Sequence, residues 1–233
     1  MVPKAKSRIA DGRPLAFVKH QNFLDFSEFG MTSPTYINFV RNPVERIISW
    51  FYYIRAPWYH LDLDEYNNTV QVSHFKSVRQ LKQTMEDCFE SGHHSDCVLR
   101  SHMSVHNDPG MPEYSSQITF FCGNDPECDV FNGSGAFKRA VENVEKYFPV
   151  VGVLEELDSS LRVLEAFLPR YFSGASEILA KEPSEKHKNK NIYKQRQSSK
   201  FRAALAANMT RELEFYHFCR QRLMKQMMSI QRQ

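Results

Sequence analysis

The chain predicts an α/β domain, on three observations. Two short runs, Tyr36-Ile37-Asn38-Phe39-Val40 and Val150-Val151-Gly152-Val153-Leu154, are rich in β-branched or aromatic residues, as buried strands are. Each is followed by a helical pattern. After the second, Leu157, Leu161, Leu164 and Leu168 fall at i, i+4, i+7 and i+11, one apolar stripe that faces a core and carries no function. Between the first strand and its helix stands Arg41-Asn42-Pro43, where Asn42 is placed to cap the helix and Pro43 sits in its first turn, a position where the missing N–H costs nothing. A strand, a tight loop and a helix in that order aim free backbone N–H groups at an anion.

The remaining elements follow from local pattern. Residues 1–15 are basic, contain Pro and Gly, and read as an N-terminal arm; residues 16–233 read as one domain, with no internal repeat. Ala16-Phe17-Val18 has the composition of a short strand, and Val44 to Arg55 that of a helix. Residues 57–69 form an aromatic and acidic insert, and His74 to Glu90 a second helix. A loop with His, Pro and Gly covers 101–116, and the apolar run Gln117 to Cys122 reads as a strand. Further helices are expected over Phe137–Tyr147 and Ser199–Met228. Before the last of them, residues 181–200 carry Lys186, Lys188, Lys190, Lys194 and Arg196 in a stretch of low hydrophobicity. Two readings are open there: a solvated loop, or a lid over a polyanion.

Composition narrows the function. Of 233 residues, 42% are hydrophobic and 24% charged, enough to bury a core. Lys and Arg total 30 against 27 Asp and Glu, a net charge of +3 that implies no nucleic-acid binding by itself. The basic stretch has no stacking platform beside it, so nucleic acid is not an expected partner. No apolar run approaches the roughly 18 residues of a membrane span, and the first residues show no signal-peptide core.

Four of the five cysteines fall in two local pairs, Cys88 with Cys97 and Cys122 with Cys128, across loops rich in Gly, Asp, Asn and Pro that can bend back on themselves. Loop disulfides, buried thiols and a metal site are all compatible with that spacing, although zinc knuckles use tighter gaps. Cys219 stands alone as an expected buried thiol. Asn67, Asn132 and Asn208 each begin an N-x-S/T sequon. Cysteines and sequons together point to a lumenal or extracellular domain whose targeting segment lies outside this chain.

The segment with chemistry in it is "YINFVRNPVERIISWFYY", Tyr36 to Tyr53. A buried helix explains its Ile and Phe residues but not an Arg directly after an apolar strand. Arg41 there can make planar, bidentate contacts to a phosphate, and the hydroxyl of Ser49, about two turns on, can complete the cradle. This segment resembles the 3′-phosphate-binding motif of the Golgi uronyl and heparan sulfate 2-O-sulfotransferases. Further segments agree in order: "FLDFSEFG" (23–30), "FFCGNDPEC" (120–128), "VGVLEEL" (151–157), "LEAFLPRYFSGASEI" (164–178) and "ELEFYHF" (212–218). The resemblance spans residues 16–225 and is strongest to the pipe-type sulfotransferases of insects.

The resemblance implies a P-loop-NTPase-like sulfotransferase fold, a parallel sheet flanked by helices with the first βα unit apparently missing. It implies transfer of a sulfuryl group from 3′-phosphoadenylyl sulfate (PAPS) to a uronic acid or related sugar hydroxyl of a glycosaminoglycan or glycoprotein glycan, without a metal. Arg41 and Ser49 match the holders of the donor's 3′-phosphate, and His20, five residues before Asp25, matches the general base. The basic loop matches a mobile cover in which Lys188 and Lys190 are the preferred donor contacts. Lys19 replaces a family Gly, and either an acidic sugar or solvent suits it. Arg55 matches an Arg at the end of the nucleotide-site helix, in a substrate contact or a surface ion pair. The run after it is aromatic and acidic where heparan-type enzymes are Arg-rich, which favours a pipe-like glycan acceptor. Val2-Pro3-Lys4 echoes the 5′-phosphosulfate loop, yet too few residues separate Lys4 from His20 for the helix that normally follows. A catalytically impaired paralogue, acting as a glycan-binding or partner subunit, is the alternative. A Golgi-lumen, type II membrane protein and a homotrimer are further implications.

Overall fold

The computed structural model describes residues 16–56, 77–91, 104, 116–181 and 191–232. The two strand signals resolve into β1, Ile37–Val40, and β2, Val150–Val153. They pair in parallel, Ile37 opposite Val150 through Val40 opposite Val153. All four β2 residues are buried, as expected of a parallel strand covered on both faces. Gly152 is needed where it stands, because a Cβ there would lie 2.3 Å from the Phe39 ring.

Helix α1, Pro43–Tyr53, starts where the sequence places it: the Asn42 side chain accepts hydrogen bonds from the Val44 and Glu45 N–H groups, with Pro43 in the first turn. Its buried face, Val44, Ile47, Ile48, Phe51 and Tyr52, joins a core cluster with residues of α3 (Met85–Ser91) and α9 (Ser199–Ala207). A second, larger core lies between β2, α5 (Ser134–Tyr147), α6 (Leu157–Phe167) and α10 (Thr210–Ile230). In α6, Leu164 is fully buried and the other members of the leucine stripe are half-buried. Two short helices, α7 (Pro169–Phe172) and α8 (Ala175–Lys181), follow. Glu165 of α6 accepts from the Ser176 N–H and hydroxyl, so α8 folds back onto α6. Among the described residues, no helix is long and apolar enough to cross a membrane.

Four expectations change. Ala16-Phe17-Val18 is irregular and exposed, Val18 to 96%, since no described strand offers it a ladder. The expected helix over 74–90 is two helices in its described part, α2 (Val78–Lys82) and α3, because the Thr84 hydroxyl accepts from the Asp87 N–H and starts a new helix. Gln117 to Cys122 is not a strand but contains a single helical turn, α4 (Ile118–Cys122), burying Ile118, Phe121 and Cys122 at i, i+3 and i+4. Its first-turn N–H groups are satisfied by Ser116 and Glu212. The last helix is split into α9 and α10 at Asn208-Met209, where the Asn132 side chain accepts from the Arg211 N–H at 2.6 Å and caps α10.

Cys122 is bonded to Cys128, with Cα atoms 5.5 Å apart, which ties the end of α4 to the 3-10 turn Pro126–Asp129. Cys88 is also disulfide-bonded; its expected partner Cys97 lies outside the described residues. Cys219 is free and buried, and burial pushes its thiol pKa upward.

Candidate functional site

At the end of β1 the main chain is clamped from two sides. The Arg41 N–H donates to Gln117 Oε1 at 2.7 Å, and Gln117 Nε2 donates back to the Arg41 carbonyl at 2.8 Å. The Asn42 N–H donates to Glu155 Oε1 at 2.9 Å. Together with the Asn42 cap, these bonds occupy the N–H groups of Arg41, Asn42, Val44 and Glu45. The turn therefore does not hold out these backbone donors to an anion as its sequence suggests. Positive charge reaches the site through side chains instead.

Three cations meet there. Arg46, one turn into α1, is lowered in pKa by burial; the negative charge of Glu212 opposes that shift and the positive charge of Arg41 adds to it. Lys194 is lowered by burial and by Arg41. Arg41 thus stands within electrostatic reach of both. Residues 191–197 are stapled onto α1: Asn191 Nδ2 donates to the Tyr52 carbonyl at 2.7 Å and Gln197 Nε2 to the Tyr52 hydroxyl at 2.8 Å. Lys194 lies between the two staples. Ser49, half-buried, is three residues beyond Arg46 and so on the same side of α1. Behind the cluster, the fully buried Glu212 accepts from the Ser116 hydroxyl at 2.6 Å and the Gln117 N–H at 2.9 Å. Burial raises its carboxyl pKa, while these bonds and Arg46 pull it down. The charge of Arg41 disfavours that of Arg46 and of Lys194, and a multiply charged anion relieves that cost. The set suits a polyanionic phosphate ligand: guanidinium groups for bidentate contact, an ammonium group as a point charge and a hydroxyl.

His20 and Lys19 are exposed, on the irregular stretch that leads into Phe23. Phe23 is the mooring. Its N–H donates to the Phe120 carbonyl at 2.9 Å, and its ring packs against Tyr36 and Tyr147 with centroids 5.0 and 4.9 Å away. Asp25 accepts from the Ser27 N–H, capping the 3-10 turn Phe26–Phe29, and from the Tyr147 hydroxyl at 2.6 Å. Bonds from Ser27 and Tyr147 hold its carboxyl at a pKa of about 2. The Tyr36 hydroxyl donates to the Leu24 carbonyl; burial and the charge of Asp25 push its pKa to about 12. Electrostatic coupling links Arg41 with Arg46 and with Lys194, and separate contacts moor the His20 segment.

Arg55, expected in a substrate contact or a surface ion pair, lies buried. It is 2% exposed, with its guanidinium 3.6 Å above the Phe51 ring and Nη1 donating to the Phe51 carbonyl at 3.1 Å. These contacts hold the end of α1 and are not those of an exposed substrate ligand. Lys4, Lys188, Lys190 and the sequon residue Asn67 lie outside the described residues. Asn132, at φ 57°, has its side chain engaged with Thr210 and Arg211, and Asn208 donates to the Ala204 carbonyl. Three residues of the site carried no role in the sequence reading, Arg46, Gln117 and Glu212, while Lys194 was read there as one of the basic stretch. Arg46 lies inside the quoted segment, and its spacing from Ser49 is a usable signal.

A phosphate-type cation cluster at the end of a parallel strand, followed by a capped helix, fits the family whose pattern matches residues 10–219: the chain belongs to the sulfotransferase family. It is 36% identical over 216 residues to the uronyl 2-sulfotransferase homolog pip of Drosophila melanogaster, covering 91% of this chain and 40% of that protein. It is 33% identical over 213 residues to the uronyl 2-sulfotransferase of Mus musculus, 90% of this chain and 47% of the relative. The match to heparan sulfate 2-O-sulfotransferase 1 of Xenopus laevis is 32% over 210 residues, 88% of this chain and 52% of the relative. The chain thus spans about half the length of these curated relatives, or somewhat less.

Proposed function

We propose that this chain carries the nucleotide-anchoring and base-bearing part of a carbohydrate 2-O-sulfotransferase, which moves a sulfuryl group from PAPS to a hydroxyl of a uronic acid or related sugar. The observation that carries the reading is the turn from β1 into the capped helix α1, onto which residues 191–197 are stapled and where Arg41 is electrostatically coupled to Arg46 and Lys194. PAPS supplies the activated sulfuryl group. Arg41 grips its 3′-phosphate, Ser49 adds a hydroxyl donor, and Arg46 and Lys194 balance the remaining charge. His20 takes the proton of the sugar hydroxyl as its oxygen bonds to sulfur, while the S–O bond to the nucleotide breaks and its electron pair leaves with the bisphosphate. Imidazole suits this near neutral pH. Lys188, Lys190 and Lys4 are further donor contacts in this reading, and Lys19 faces the acidic acceptor. The acceptor is a glycosaminoglycan or glycoprotein glycan. The disulfides at Cys88 and Cys122 support an oxidising compartment, in keeping with a Golgi-lumen enzyme that is anchored as a type II membrane protein in its full-length form; a homotrimer is the proposed assembly.

The test is transfer of labelled sulfuryl from PAPS to glycans containing glucuronic or iduronic acid. Label at the 2-hydroxyl supports the reading. Nucleotide binding without transfer to any acceptor would instead favour the impaired paralogue that binds glycan or a partner subunit.

A further inference from the structure

We propose that Gln117 is a positioning residue of the donor site, acting through Arg41 and seated by Glu212; this rests on the nucleotide reading of Arg41. The described ladder stops at Val40, and the chain leaves the sheet at the residue whose guanidinium must be aimed. The direction of that side chain depends on the backbone dihedrals of Arg41. The Gln117 amide fixes them by taking the Arg41 N–H and returning a donor to its carbonyl, a reciprocal pair at 2.7 and 2.8 Å. A primary amide presents both a donor and an acceptor, as a neighbouring strand's peptide group does; a carboxylate has no donor and an ammonium no acceptor.

Gln117 is itself fixed. It is 4% exposed, and its own N–H donates to Glu212 Oε2. The same carboxylate takes the Ser116 hydroxyl and the Ile118 N–H, so α10, α4 and the end of β1 meet around one buried acid. Neither Gln117 nor Glu212 is exposed enough to touch a sugar. Their effect on the reaction passes through Arg41, and it falls on the nucleotide rather than on the acceptor.

The experiment measures adenosine 3′,5′-bisphosphate binding by calorimetry in the unmodified chain, Gln117→Ala, Arg41→Ala and the double variant, with hydrogen exchange at the Arg41 amide. Gln117→Met removes both bonds at similar volume and is read in place of Gln117→Ala if that variant does not fold. Loss of Gln117 weakens binding about tenfold, speeds exchange at Arg41 and leaves the acceptor KM unchanged. The double variant binds no more weakly than Arg41→Ala alone, because Gln117 has nothing left to position. Binding unchanged by loss of Gln117, or losses that multiply in the double variant, would overturn the positioning role while leaving the donor site intact. No binding by the unmodified chain, or full binding by Arg41→Ala, would overturn the donor-site reading and this proposal with it.

Discussion

The β1–α1 junction and the stretch around His20 are held in contrasting ways. Arg41 follows a buried strand, opens onto a capped helix and has its peptide groups bonded on both sides. His20 lies on exposed, irregular chain that Asn22, bonded to Asn124, and Phe23 hold two and three residues on, with Asp25 and Tyr36 behind them. In the proposed enzyme, the group that binds the charged donor is built on regular elements. The group that moves a proton sits on chain held by a few aromatic and polar contacts. Binding and proton transfer should therefore respond to different substitutions.

The largest separation is expected at the two functional side chains. His20→Ala should lower turnover by about 10²–10⁴-fold and leave nucleotide affinity unchanged, as read by paired kinetic and calorimetric measurements. Arg41→Ala should weaken nucleotide binding by roughly 10–100-fold, the value of a charge-assisted bond lost to a phosphate. Equal losses of binding in the two variants would erase the contrast. Phe23→Ala removes a largely buried ring from the aromatic group with Tyr36 and Tyr147. It should cost about 3 kcal/mol of stability by denaturant unfolding, and lower turnover more than nucleotide affinity.

Lys194→Met should weaken the nucleotide about tenfold near neutral pH and flatten the pH dependence. The sign follows from charge: the protonated amine binds the anion, so affinity in the unmodified chain falls as pH rises through a Lys194 pKa that burial and Arg41 have lowered. A titration of binding between pH 7 and 10 checks this. The smallest effect is at Asp25, whose folded pKa of about 2 lies below the ordinary carboxylate value. Its contribution to stability is full above about pH 4 and is lost as pH falls toward 2. Asp25→Asn should therefore destabilise at pH 5, with the difference from the unmodified chain vanishing near pH 2 in thermal melts.

The elements that depend on local pattern were legible in the sequence. β1, β2, the Asn42 cap with Pro43, and the leucine-striped α6 all stand close to their expected places. α4 was not legible. A five-residue apolar run carries no decisive period, and its first turn is capped by Glu212, 95 residues away in sequence from Gln117. The basic stretch showed many lysines but not that Lys194, among the described residues, comes within electrostatic reach of Arg41. Its segment is held by Asn191 and Gln197, which bond to Tyr52 from sequence distances of 139 and 145 residues. The anion site was legible in kind but not in detail. Its strand–turn–helix geometry suggested backbone donors, whereas the turn spends four of those N–H groups on Gln117, Glu155 and Asn42 and leaves the anion to side chains.

The most direct measurement is calorimetric titration of the purified chain with adenosine 3′,5′-bisphosphate, repeated in rising salt. The account predicts saturable one-to-one binding that weakens with salt, is weakened roughly 10–100-fold in Arg41→Ala and is kept in His20→Ala. Binding by Arg41→Ala as tight as that of the unmodified chain would contradict it.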